Sequence, residues 1–77
     1  MQISIKTLAG KKQNLTFEPT NTIHQIKLTL QEKEGIGVDQ IKLIFGGKQL
    51  NDEMTIQDAK INAGDTLHMV LQLKGGF

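Results

Sequence analysis

The stretch Thr22–Gly35, TIHQIKLTLQEKEG, decides the fold. The Thr22 hydroxyl can cap a helix, and Gln25, three residues on, can return the bond from its side chain. Ile23, Ile26 and Leu30 then recur at helical spacing, while Lys27, Gln31 and Lys33 read as facing water. Gly35 stands where a left-handed cap ends a helix. The spacing predicts one helix over 23–34. Nothing else in the chain carries that period for as long.

Upstream, Met1, Ile3 and Ile5 alternate with Gln2, Ser4 and Lys6, the period of a half-buried strand. Ala9-Gly10 is a turn signal, and Leu15 and Phe17 mark one face of a second strand, so the pair reads as a hairpin. Pro19 stops it. Downstream, Ile41, Leu43 and Phe45 alternate with Lys42 and Ile44, and Gly46-Gly47 turns this strand into a short Lys48-Gln49-Leu50 segment. Thr55-Ile56-Gln57-Asp58 can cap a single helical turn near 55–59, with Ile56 and Ile61 inside. Ala63-Gly64-Asp65 is a further turn. Thr66 to Gln72 is the last strand. Strands on both sides of one helix imply an α+β architecture with the helix across one face of a sheet.

Composition narrows what such a domain can do. Seventy-seven residues make one domain. There is no cysteine, hence no disulfide, thiolate nucleophile or Cys-based metal site, which suits a reducing compartment. All nine basic residues are lysines and the formal net charge is +1. Without arginine, forked recognition of phosphate is missing. The three aromatics are all Phe and offer no base-stacking platform, so no nucleic-acid partner is expected. No 18-residue apolar run or leader is visible, so no membrane partner is expected and the chain reads as soluble. His24 and His68 lack metal-ligand spacing, Asp52-Glu53 reads as turn chemistry, and Gly46-Gly47-Lys48 lacks the spacing of a phosphate-binding loop. No nucleophile–base constellation emerges, and no enzyme, metal or cofactor is expected.

Parity raises a positive signal instead. If Leu43 faces the core, Ile44 faces away. If Leu67 and Met69 face the core, His68 and Val70 face away. A sheet face left wet should turn polar, so clustered outward aliphatics read as a binding surface. The competing reading is that single exposed apolar residues are ordinary.

The ending Leu71-Gln72-Leu73-Lys74-Gly75-Gly76-Phe77 is the second signal. Two glycines can thread a channel too narrow for a Cβ atom, and a glycine carboxylate is the least hindered acyl group a terminus can offer. Read so, the tail is built for joining to another molecule and is masked by Phe77. The plain alternative is an unstructured end.

Met1-Gln2-Ile3, Lys6-Thr7-Leu8, Gly10-Lys11, Glu18-Pro19, Lys33-Glu34-Gly35-Ile36, Leu43-Ile44-Phe45, Gly47-Lys48-Gln49-Leu50 and Thr66-Leu67-His68 resemble ubiquitin, without a gap from Met1 to Gly76. The resemblance implies a β-grasp fold, a mixed sheet around one helix, with residues 1–72 as the domain and 73–77 as a conjugation tail. It implies activation of the Gly76 carboxylate as an adenylate, transfer to a thioester, and an isopeptide bond to a target lysine. It implies activating, conjugating and ligase enzymes, processing and deconjugating proteases, and a monomer in the cytoplasm and nucleus. Leu8, Ile44, His68 and Val70 match the family's recognition patch, and Ile36, Leu71 and Leu73 a smaller one. Lys6, Lys11, Lys27, Lys33 and Lys48 match lysines on which chains are built.

The departures are as informative. Gln72 replaces an arginine that activating enzymes use to tell family members apart, and lysines replace arginines at Lys42 and Lys74. Thr29 and Ala63 stand where ubiquitin has lysines, and Ser4 lacks an aromatic. Asn51-Asp52-Glu53 and Lys60-Ile61 are similar to the neddylation modifier, and Asp58-Ala59 to its fungal Rub counterpart. Gly37-Val38 departs from both. The expectation is a Rub/neddylation-type modifier made as a precursor, with cullin-type targets. The alternatives are a divergent ubiquitin ending a polyubiquitin array, a non-covalent ubiquitin-like binding domain, and a sulfur carrier of the same fold.

Overall fold

A computed structural model of the chain describes residues 1–7 and 9–71. The elements are β1 (Gln2–Lys6), β2 (Lys12–Thr16), α1 (Ile23–Glu34), a 3₁₀ turn (Val38–Gln40), β3 (Ile41–Phe45), β4 (Lys48–Gln49) and β5 (Thr66–Leu71). The five strands form one mixed sheet in the order β2-β1-β5-β3-β4. β1 and β5 run parallel, and the other pairs are antiparallel. This is the architecture of the ubiquitin-like β-grasp.

The helix has the expected ends. The Gln25 amide donates to Thr22 Oγ1 at 3.2 Å, and the Thr22 amide donates to Gln25 Oε1 at 2.8 Å. Two of the first turn's orphan donors are thereby satisfied. Gly35 takes φ 72° and donates its amide to the Gln31 carbonyl. Ile23, Ile26 and Leu30 are fully buried against Ile3, Ile5, Leu43 and Leu67 of the sheet. The β3–β4 connection needs positive φ at both central residues of a two-residue hairpin. Gly46 and Gly47 supply it, at 61° and 81°.

Two local readings change. Lys27 does not face water: it is buried, because it lies four residues after Ile23 and shares its inward stripe. Ser4 points to the outer face as its parity requires, yet it is covered. Its hydroxyl donates to Asn14 Oδ1 at 2.6 Å across the β1–β2 pair. The turn at 55–59 forms but never lengthens. The Ala59 amide donates to the Thr55 carbonyl at 3.1 Å, and Thr55 and Asp58 cap each other reciprocally. The amides of Ile61 and Lys60 then close back on the carbonyls of Ile56 and Gln57. This pair of bonds is a Schellman closure, with Lys60 in the left-handed position usually given to glycine. Ile56 and Ile61 are buried, as the sequence predicts.

Candidate functional site

The helix covers one face of the sheet, and β3 and β5 set what the other face presents. Leu43 pairs with Met69, and both are buried. One residue on, Ile44 pairs with His68, while Lys42 pairs with Val70. Directly paired residues share a face, so Ile44, His68 and Val70 stand together on the side away from the helix. His68 is exposed, while Ile44 and Val70 are half-buried. Parity alone made all three exposed. The difference is physical: β3 and β5 are interior to the sheet, so neighbouring side chains cover part of each aliphatic. Leu8, the fourth member expected here, lies outside the described residues.

Leu71 extends the inward parity of Leu67 and Met69 beyond the end of the core and is 48% exposed. It joins Ile36 on the wall of a groove of about 260 Å³, with Thr7, Met69, Lys11 and Glu34 also lining it. Two of the three residues expected in the second cluster, Ile36 and Leu71, thus line one groove. Leu73 lies outside the described residues, as do Gln72, Lys74, Gly75, Gly76 and Phe77.

Lys6, Lys11, Lys33 and Lys48 are exposed. Lys27 departs from them as a candidate chain acceptor. Its side chain is 11% exposed and its Nζ donates to Asp52 Oδ1 at 2.6 Å. His24 Nδ1 lies 3.5 Å from the other carboxylate oxygen, Oδ2. The hydrogen bond from Lys27 is the main cause holding the Asp52 carboxyl below its ordinary range. Asp52 thus ties the helix to the loop before Met54, a role that reading Asp52-Glu53 as a simple turn missed. The available signal was Lys27 itself, a cation on an inward helical position, which needs a partner.

Among the described residues, no group of three or more His, Asp or Glu is placed to hold a metal ion. No helix among them is long and apolar enough to cross a membrane.

The sheet, the capped helix and the outward aliphatic cluster define a ubiquitin-like protein, and comparison with known proteins gives the same class. The sequence model of the ubiquitin family matches residues 3–74, and the chain belongs to that family. It is 46% identical to the ubiquitin-like protein NEDD8 of Dictyostelium discoideum over 77 residues, the whole of both chains. It is 43% identical to the NEDD8-like protein RUB1 of Saccharomyces cerevisiae, covering 99% of each chain. With the NEDD8-like protein RUB3 of Arabidopsis thaliana it shares 41%, covering 99% of this chain and 97% of the relative. Within the family the chain is a modifier of the Rub/NEDD8 type, a protein tag and not an enzyme. It works in a conjugation pathway with activating and conjugating enzymes.

Proposed function

We propose that the chain is made as a precursor whose Phe77 a protease removes, and that Gly76 then becomes the reactive terminus. Its carboxylate attacks the α-phosphorus of ATP and expels pyrophosphate. A cysteine thiolate of the activating enzyme displaces AMP to give a thioester. After transfer to a conjugating enzyme, a target lysine amine displaces the thiolate, forms the isopeptide bond and loses a proton. While Phe77 is attached, the Gly76 carbonyl is an amide and has no carboxylate to activate. Gly75 and Gly76 leave the thread free of Cβ atoms.

Residues 1–72 serve as the recognised domain and 73–77 as the tail. Ile44, His68 and Val70, with Leu8, form the main docking surface, and Ile36, Leu71 and Leu73 the smaller one. Gln72 selects the activating enzyme. Ligases and deconjugating proteases complete the pathway, and cullin-type proteins are the targets. Further chains grow on Lys48, Lys11, Lys6 or Lys33. A cysteine-free, ATP-dependent tag fits the cytoplasm and nucleus. The observation that carries this reading is the likeness to NEDD8-type proteins over the whole chain, together with the Gly75-Gly76-Phe77 ending of this sequence.

The test is an ATP-dependent thioester assay on the 77-residue form and on the form ending at Gly76. Only the shorter form should charge. Equal charging of both would remove the precursor step.

A further inference from the structure

Beside the aliphatic cluster, the outer sheet face has a pairing of lysines that the docking surface proposed above does not account for. Lys12, Lys6, His68 and Ile44 are successive cross-strand partners on β2, β1, β5 and β3. They form one row across one face. Lys6 and Lys12 are both exposed and stand directly opposite each other. Like charges so placed destabilise an antiparallel pair. No strand residue relieves them. The five strands carry Lys6, Lys12, Lys42 and Lys48 and neither Asp nor Glu. Among the described residues, neither Lys6 nor Lys12 forms an ion pair. The acidic residues sit on α1, on the 3₁₀ turn and in the loops. Lys6, Lys12 and Lys42 thus stand on the outer sheet face with no strand carboxylate beside them.

We propose that this row binds an acidic segment of a partner protein laid across the strands, with an aliphatic residue on Ile44 and Val70 and carboxylates over Lys6 and Lys12. The aliphatic end rests on the docking surface proposed above, and the acidic end is new. From Ile44 to Lys12 the row crosses three strand spacings, about 14 Å. An extended chain advances about 3.3 Å per residue, so the carboxylates follow the aliphatic anchor by about four residues. A carboxylate between the two lysines is favoured twice, since it attracts both and screens each from the other. Nucleic acid suits the row less well. It has no arginine to fork onto phosphate and no aromatic to stack on a base.

The probe is a synthetic peptide with a Leu-Ala-Leu anchor, a three-residue spacer and four glutamates. A control peptide has glutamines in their place. Lys12 is exposed on the edge strand β2, so Lys12→Gln and Lys12→Glu should fold, which thermal melts by circular dichroism verify. Binding of the glutamate peptide should weaken about threefold for Lys12→Gln and about tenfold for Lys12→Glu. It should fall steeply with salt in the wild type. The glutamine peptide should not distinguish the three proteins. Equal binding of the glutamate peptide by wild type and Lys12→Glu overturns the proposal and leaves Lys12 as a guard of the sheet edge. Equal or tighter binding of polyuridylate, which lacks an aliphatic anchor, overturns it too. Thioester charging of the same preparations reports on the modifier reading alone. Charging retained while the peptide discriminates nothing removes this proposal and not that one.

Discussion

Leu43 and Ile44 are neighbours in the chain and do opposite work. Leu43 is fully buried beneath α1, and Ile44 stands on the outer face beside His68. Leu43→Ala should cost about 2–5 kcal/mol of folding stability, the lost burial plus the cavity left behind. Ile44→Ala should cost about 1 kcal/mol or less, because its side chain is only half covered. In partner binding the order reverses, since truncating a central apolar contact costs about 2 kcal/mol or more. Urea denaturation and a binding titration on the two variants check this. A larger stability loss for Ile44→Ala would contradict the facing of β3. Asp52 gives a second residue-level expectation. Its carboxyl titrates below the ordinary aspartate range, chiefly because Lys27 donates to it. The unfolded chain therefore takes up the proton more readily than the folded one. The stabilisation is present in full above the unfolded value, about 3.9. It is lost as pH falls through the lower, folded value. Asp52→Asn should therefore be less stable than wild type at pH 6. Asp52 is half exposed, so screening by solvent limits the loss to about 1 kcal/mol. The gap should close as wild type is taken below about pH 4. A gap that stays constant down to pH 2.5 would assign the effect to packing instead of charge.

At the scale of elements, α1 and its caps were legible because they rest on local chemistry. A hydroxyl at Thr22, an amide at Gln25 and a glycine at Gly35 each answer a backbone group within four residues. The outward placement of Ile44, His68 and Val70 was legible for the same reason, since period-2 parity is fixed by the residue before and after. What could not be read depends on pairs distant in sequence. The Lys27–Asp52 bond joins residues 25 apart, and Ser4 is covered only through Asn14, ten residues away. The opposition of Lys6 and Lys12 depends on hairpin register, which the sequence suggested without fixing. The 55–60 turn lies between these cases. Its reciprocal Thr55–Asp58 cap was legible, and its left-handed exit at Lys60 was not, since lysine carries no signal for positive φ. Lys60 stands at φ 59°, where asparagine is better tolerated. Lys60→Asn should raise stability by about 0.5–1 kcal/mol, toward the lower end of what such strain costs. It should leave thioester charging unchanged. A destabilised Lys60→Asn, measured by urea midpoint at constant slope, would mean that the lysine stem contributes packing that outweighs the strain.

At the scale of the whole molecule, the question is how an activating enzyme separates this modifier from ubiquitin when both present one sheet, one helix and a Gly-Gly end. A surface shared across a fold carries affinity, and discrimination needs a feature that penalises the wrong partner. Gln72 is the proposed feature, at the point where the domain gives way to the tail. A pocket built to pair an arginine through two charge-assisted hydrogen bonds leaves its acid unpaired when glutamine arrives. Leaving a charge unpaired in a buried interface costs about 2–5 kcal/mol. That corresponds to about 30-fold or more in charging efficiency. A pocket of the neddylation type has no need of that acid, and there an arginine would be the residue left without a partner. Charging of the Gly76-terminated wild type and of Gln72→Arg by each purified enzyme measures both halves. The ubiquitin enzyme should handle the wild type poorly and gain at least tenfold with Gln72→Arg. The neddylation-type enzyme should lose with the same substitution, because the added guanidinium must be desolvated with nothing to receive it. The two shifts must be opposite in sign. Efficient wild-type charging by the ubiquitin enzyme, indifferent to the substitution, would place discrimination elsewhere on the surface, and residue 72 would be one contact among many.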